Sequence, residues 1–123
     1  MAAQHLISII DDDPSMREAL AGLVRSLGHE VRAFASAEEF LASSGLERVS
    51  CAITDIQMPG MTGFELQRQL SLRHGDVPVI MITARTEPDL EDQAMSNGAA
   101  FFLRKPFEAA VLVGCLEKAL AGN

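Results

Sequence analysis

Tryptophan and tyrosine are both absent from the 123 residues, and six phenylalanines supply all the ring surface. Without those two side chains there is no aromatic stacking platform of the kind a flavin carrier uses. Cysteine is nearly as scarce. Cys51 and Cys115 stand far apart, in no disulfide or metal-binding spacing. One precedes an apolar run and the other lies on an apolar helical stripe, so both read as buried, reduced thiols. The three histidines, His5, His29 and His74, are scattered at segment ends, which argues against a histidine-based metal or catalytic centre. Positive charge is outweighed, with 10 Lys and Arg against 17 Asp and Glu and a formal net charge of −7. A chain with that mean field repels nucleic acid and anionic membrane surfaces. No long hydrophobic run is present. The stretch Val77-Pro78-Val79-Ile80-Met81-Ile82 is far too short to cross a bilayer. Met1-Ala2-Ala3-Gln4-His5 lacks the charged start and apolar stretch of a secretory leader. The expected location is the cytoplasm.

What is present is a regular alternation. Short apolar runs fall at Leu6–Ile10, Val31–Phe34, Cys51–Thr54, Val77–Ile82 and Ala100–Leu103, each the length of a strand. Helical patterns lie between them. Met16, Ala19, Leu20, Leu23, Val24 and Leu27 recur at helical spacing and make one buried face. Asp13 can cap that helix, Pro14 suits its first position, and Gly28 can stop it. Ser36-Ala37-Glu38-Glu39 has the form of a capping box. A third helix is expected from Gly63 to His74-Gly75. A fifth carries Leu112, Cys115, Leu116, Ala119 and Leu120 on one face. The fourth, roughly Pro88 to Asn97, has an acidic start and only Leu90, Ala94 and Met95 as apolar anchors, so it should shift most easily. Strict strand–helix alternation predicts an α/β fold: a doubly wound, five-stranded parallel sheet of order 2-1-3-4-5 with five helices, flavodoxin-like.

In such a sheet ligands bind beyond the carboxyl ends of the strands. The first strand ends in Asp11-Asp12-Asp13, the third in Asp55, the fourth in Thr83-Ala84 and the fifth in Arg104-Lys105-Pro106. Adjacent carboxylates facing another are costly unless a proton or cation intervenes. Carboxylates with a backbone carbonyl and waters suit Mg²⁺, whose remaining positions can take phosphoryl oxygens. Lys105 and the Thr83 hydroxyl would neutralise charge on a transferring phosphoryl group, with Asp55 as nucleophile. Asp13 reads only as a cap. The same first turn lacks the glycines that let a nucleotide phosphate reach the helix amides.

Ile9-Ile10-Asp11-Asp12-Asp13, Thr54-Asp55-Ile56-Gln57-Met58-Pro59-Gly60-Met61-Thr62-Gly63, Ile82-Thr83-Ala84 and Lys105-Pro106-Phe107 resemble the response-regulator receiver family over essentially the whole chain. Phe34-Ala35-Ser36-Ala37-Glu38-Glu39-Phe40-Leu41 and Gly98-Ala99-Ala100-Phe101-Phe102 are similar to its nitrogen-fixation (FixJ-type) branch. The resemblance implies that Asp55 accepts a phosphoryl group from a phosphohistidine on a sensor histidine kinase. It implies Mg²⁺, replaceable by Mn²⁺, bound by Asp12, Asp55 and the main-chain carbonyl of Gln57, with Asp11 acting through water. Thr83 and Lys105 would clasp the phosphoryl oxygens, Phe102 would be the switch aromatic, and the Lys105–Pro106 bond would be cis. Gln57 and Arg85 border the site and are expected to tune phosphoryl lifetime.

Residues 1–123 are then one receiver domain, expected to be the N-terminal part of a longer transcriptional regulator. It would form a homodimer on phosphorylation, make no nucleic-acid contact of its own, and catalyse nothing beyond its own phosphotransfer and dephosphorylation. A free-standing receiver acting by direct protein contact is the alternative. A degenerate dimerisation module is opposed by the complete constellation. A haloacid-dehalogenase-type phosphatase is opposed by Gln57, which stands where that chemistry needs a second acid.

Overall fold

The computed structural model describes residues 5–121. The reading of Met1–Gln4 as no part of a leader falls outside them. In chain order the elements are β1 (Leu6–Ile10), α1 (Pro14–Ser26), β2 (Glu30–Phe34), α2 (Ala37–Ala42), a 3₁₀ turn (Leu46–Arg48), β3 (Val49–Asp55), α3 (Gly63–Arg73), β4 (Val79–Thr83), α4 (Leu90–Ser96), β5 (Phe101–Arg104) and α5 (Ala109–Ala121). The strands form one five-stranded sheet of order β2-β1-β3-β4-β5, every pairing parallel, as the alternation predicts.

Burial follows from that order. β1 and β4 are buried along their whole length and β3 at every residue but Ser50, because helices cover both faces. The outer strands β2 and β5 are only partly buried. On one face Ile7, Ile9, Cys51, Ile53, Ile80 and Ile82 pack with Leu20 and Val24 of α1 and Leu112 and Leu116 of α5. On the other, Leu6, Ile10, Ala52, Val79 and Met81 pack with Phe40 of α2, Leu66 and Leu70 of α3, and Ala94 of α4.

Local chemistry sets the helix ends. The Asp13 carboxylate accepts from the Ser15 amide, Pro14 opens α1, and Gly28 beyond its end takes a φ of 93°. Ser36 accepts from the Glu39 amide and so supplies half of the expected capping box. A full box opens α3: Thr62 accepts from the Glu65 amide while the Glu65 carboxylate accepts from the Thr62 amide.

Two strand ends are placed differently from expectation, with consequences for the site. Pro78 has no amide to give to the ladder, so β4 starts at Val79 and runs on through Thr83. β5 begins at Phe101 and includes Arg104, whose register partner is Thr83. α4 is shorter than predicted; within it only Leu90 and Ala94 are buried, and Met95 is exposed.

Candidate functional site

Asp11 follows β1, Asp55 is the last residue of β3, Thr83 the last of β4, and Lys105 follows β5. The parallel order sets all four at one edge of the sheet. One carboxylate oxygen each from Asp11, Asp12 and Asp55 lies within 4.8 Å of the others. Lys105 Nζ donates to Asp11 Oδ2 at 3.1 Å and to Asp55 Oδ2 at 3.2 Å. Asp11 and Asp55 are buried, whereas Asp12 is exposed.

Main-chain groups fix the carboxylates. The Asp13 amide donates to Asp11 Oδ1 at 2.9 Å, and the Gln57 amide to Asp55 Oδ1 at 3.2 Å. Arg17 on α1 donates to the Asp11 carbonyl at 2.8 Å, tying the acidic turn to the helix it opens. The loop after β3 is held from two sides. Gly63 packs so closely that an added Cβ would sit 2.6 Å from the Asp55 carbonyl oxygen, which no side chain tolerates. Glu38 of α2 accepts from the Met61 amide at 2.9 Å.

The electrostatics are unbalanced in a specific sense. Burial pushes the Asp55 carboxyl upward, the Lys105 ammonium pulls it down, and Asp11 pushes it up again; the net shift is upward. Burial alone would lower the Lys105 pKa, but Asp55 and Asp11 outweigh it and hold the ammonium above its ordinary value. One cation shared between two buried carboxylates leaves negative charge in excess. Such a donor set, oxygen-only, partly open through Asp12 and short of positive charge, fits a hard divalent cation.

Thr83 is fully buried and its Oγ1 accepts from the Arg85 amide at 3.0 Å, while the Lys105 amide donates to the Thr83 carbonyl at 2.7 Å. The Lys105–Pro106 bond is cis. Phe102 is half-buried against the α2–α3–α4 face, with the Arg104 guanidinium 5.1 Å from its ring centroid. Gln57 and Arg85 are both exposed beside the site. Arg17, Glu38 and Arg104 were not predictable as site-supporting residues. Each acts through a bond to a main-chain group outside its own element, and no motif marks such a bond.

Residues 7–117 match the family described as the response regulator receiver domain. The chain belongs to that family. Among curated proteins, this receiver is 40% identical over 115 residues to the transcriptional regulatory protein FixJ of Azorhizobium caulinodans, covering 93% of this chain and 54% of that protein. It is 38% identical over 117 residues to the response regulator protein TmoT of Ectopseudomonas mendocina, covering 95% and 53% respectively. The receiver thus spans about half the length of these curated relatives. Among solved structures, FixJ-N superposes with a TM-score of 0.88 at 34% identity, covering 98% of this chain and 96% of that one. The response regulator StyR gives a TM-score of 0.89 at 40% identity, covering 98% and 61%. The resemblance read from four short motifs therefore holds over the whole domain, with the FixJ-type relatives among its matches. Receivers of this family are signalling modules of two-component response regulators.

Proposed function

We propose that this receiver is a phosphorylation switch in which Asp55 is the phosphoacceptor. The observation that carries the reading is the meeting of Asp11, Asp12 and Asp55 with a single shared ammonium, Lys105. That arrangement is unstable as a resting ion cluster and suited to receiving a cation and a phosphoryl group together.

In the reaction, an Asp55 carboxylate oxygen attacks the phosphorus of a phosphohistidine on a sensor histidine kinase. The P–N bond breaks as the new P–O bond forms, leaving an acyl phosphate on Asp55. Lys105 lies against both buried carboxylates and stabilises the charge gathering on the phosphoryl oxygens. Asp12, Asp55 and the main-chain carbonyl of Gln57 would hold Mg²⁺, or Mn²⁺ in its place, with Asp11 acting through water. The ion supplies charge neutralisation. The kinase must bring its histidine to this edge. An apolar groove of about 290 Å³ lies beside the site, lined by Met16, Leu20, Leu23, Pro106 and Phe107, and offers a contact surface for it.

Once Asp55 is modified, Thr83 turns its hydroxyl to the phosphoryl oxygens, Phe102 moves inward, and α4 repacks. The surface formed by α4, β5 and α5 changes and mediates homodimer formation. Curated relatives about twice as long, FixJ among them a transcriptional regulatory protein, support residues 1–123 as the N-terminal receiver of a cytoplasmic transcriptional regulator. Gln57 and Arg85, exposed at the site, would tune phosphoryl lifetime through water access.

The test is an intact-mass spectrum after incubation with acetyl phosphate. One added phosphoryl group that requires both Mg²⁺ and Asp55 supports the reading. An adduct that survives Asp55→Asn overturns it.

A further inference from the structure

The guanidinium of Arg104, on the outer strand β5, makes three contacts. Nη1 donates to the Arg85 carbonyl at 2.7 Å and Nη2 to the Glu87 carbonyl at 3.0 Å. The same group lies 5.1 Å from the centroid of the Phe102 ring. Phe102 and Arg104 are two residues apart on one strand, so both side chains project on the same side of the sheet.

The first of these bonds continues into the site. The Arg85 amide donates to Thr83 Oγ1 at 3.0 Å, and the Arg85 carbonyl accepts from Arg104. Arg85 also pairs with Glu87 at 3.0 Å across the two-residue reach that Arg104 spans. An unbroken path of hydrogen bonds therefore runs from the Thr83 hydroxyl, through one peptide unit on either side of Arg85, to a cation resting on Phe102.

We propose that Arg104 is a positioning residue: a latch that holds the β4–α4 loop, and through it Thr83 and Phe102, in the arrangement seen here. The inference rests on the switch reading and adds a residue to it. For Thr83 to reach a phosphoryl group its bond to the Arg85 amide must break, and the Arg85 carbonyl must shift with it. Arg104 resists that shift at two carbonyls and keeps Phe102 covered. A lysine cannot reproduce the effect. A guanidinium presents several donors in a fixed fork and stacks on rings, whereas an ammonium is a single point donor. Activation then includes the cost of releasing this fork, and the active conformer stays scarce in the unphosphorylated chain.

The test is a titration of the ¹⁵N-labelled chain with beryllofluoride and Mg²⁺, following the amides of residues 83–87 and 102. Arg104→Met keeps the apolar stem and removes the donors. Its amides should lie, before any addition, displaced along the line joining the wild-type free and saturated positions. Its midpoint should fall about fivefold, the release of two exposed hydrogen bonds. Arg104→Lys should resemble the Met variant more than wild type. A general packing defect would lower thermal stability without moving the amides along that line. An unchanged or raised midpoint in Arg104→Met overturns the latch, and so does wild-type behaviour in Arg104→Lys, which would assign the effect to charge alone. A wild-type chain whose amides ignore beryllofluoride overturns the phosphoacceptor reading itself, and the latch with it.

Discussion

Asp55 sits in the sheet with its carboxylate buried, one oxygen against Lys105 and the other against the Gln57 amide. Its upward-shifted pKa means that the ionised form is unfavourable in the folded state despite those partners. Replacing it with the neutral isostere should therefore stabilise the metal-free protein. Asp55→Asn is expected to raise the thermal midpoint and to abolish any further rise on adding Mg²⁺. Differential scanning fluorimetry with and without Mg²⁺ reads both effects. A fall in midpoint would mean that the acidic cluster is a net stabilising network.

Elsewhere, His29 is edge-on to His5 with ring centroids 5.6 Å apart, and burial together with that neighbour lowers its pKa from 6.5. The folded chain therefore resists a proton that the unfolded chain accepts. His29 contributes its stability above pH 6.5, and that contribution is lost as pH falls through the lower folded value. His29→Gln should flatten the thermal midpoint against pH across that interval. An unaltered slope would place the titration elsewhere.

At the scale of elements, the parts of the fold legible in the sequence were those set by local rules. Short continuous apolar runs marked the strands, stripes at helical spacing marked the helices, and Asp13-Pro14 marked the start of α1. Strand ends were less legible because they depend on partners: Thr83 joins β4, and Arg104 joins β5, through pairing with each other. The capping box of α3 was overlooked although Thr62 and Glu65 stand at its spacing. That cap secures the helix whose first residue, Gly63, presses on the Asp55 carbonyl. Thr62→Ala should cost about 1 kcal/mol in urea unfolding, and an effect near zero would mean that solvent caps the helix equally well. The site was legible as residues but not as geometry. Asp11, Asp12, Asp55, Thr83 and Lys105 were each readable at strand ends. Arg17, Glu38 and Arg104 were not, since each holds a main-chain group outside its own element, and for Glu38 and Arg104 that group is far away in sequence.

For the whole molecule, the charge balance bears on the proposed association of two copies through the α4–β5–α5 surface. The formal net charge of −7 disfavours association of two copies at low ionic strength. Dimer formation on phosphorylation should therefore be more complete at 150 mM salt than at 20 mM, as sedimentation velocity would register; the opposite salt dependence would point to ion pairs as the adhesive. Met95 of α4 and Val111 of α5 are exposed and would add apolar area to the surface proposed for two copies.

The switch itself is tested most directly by hydrogen exchange, read by mass spectrometry on wild type and Asp55→Asn, with and without acetyl phosphate and Mg²⁺. Phosphorylation is expected to change exchange across residues 84–104 in the wild type alone, while β1 and the C-terminal half of α1 stay as they were. Exchange that is identical in residues 84–104 before and after Asp55 carries its phosphoryl group would contradict the coupling between the site and the α4–β5–α5 surface.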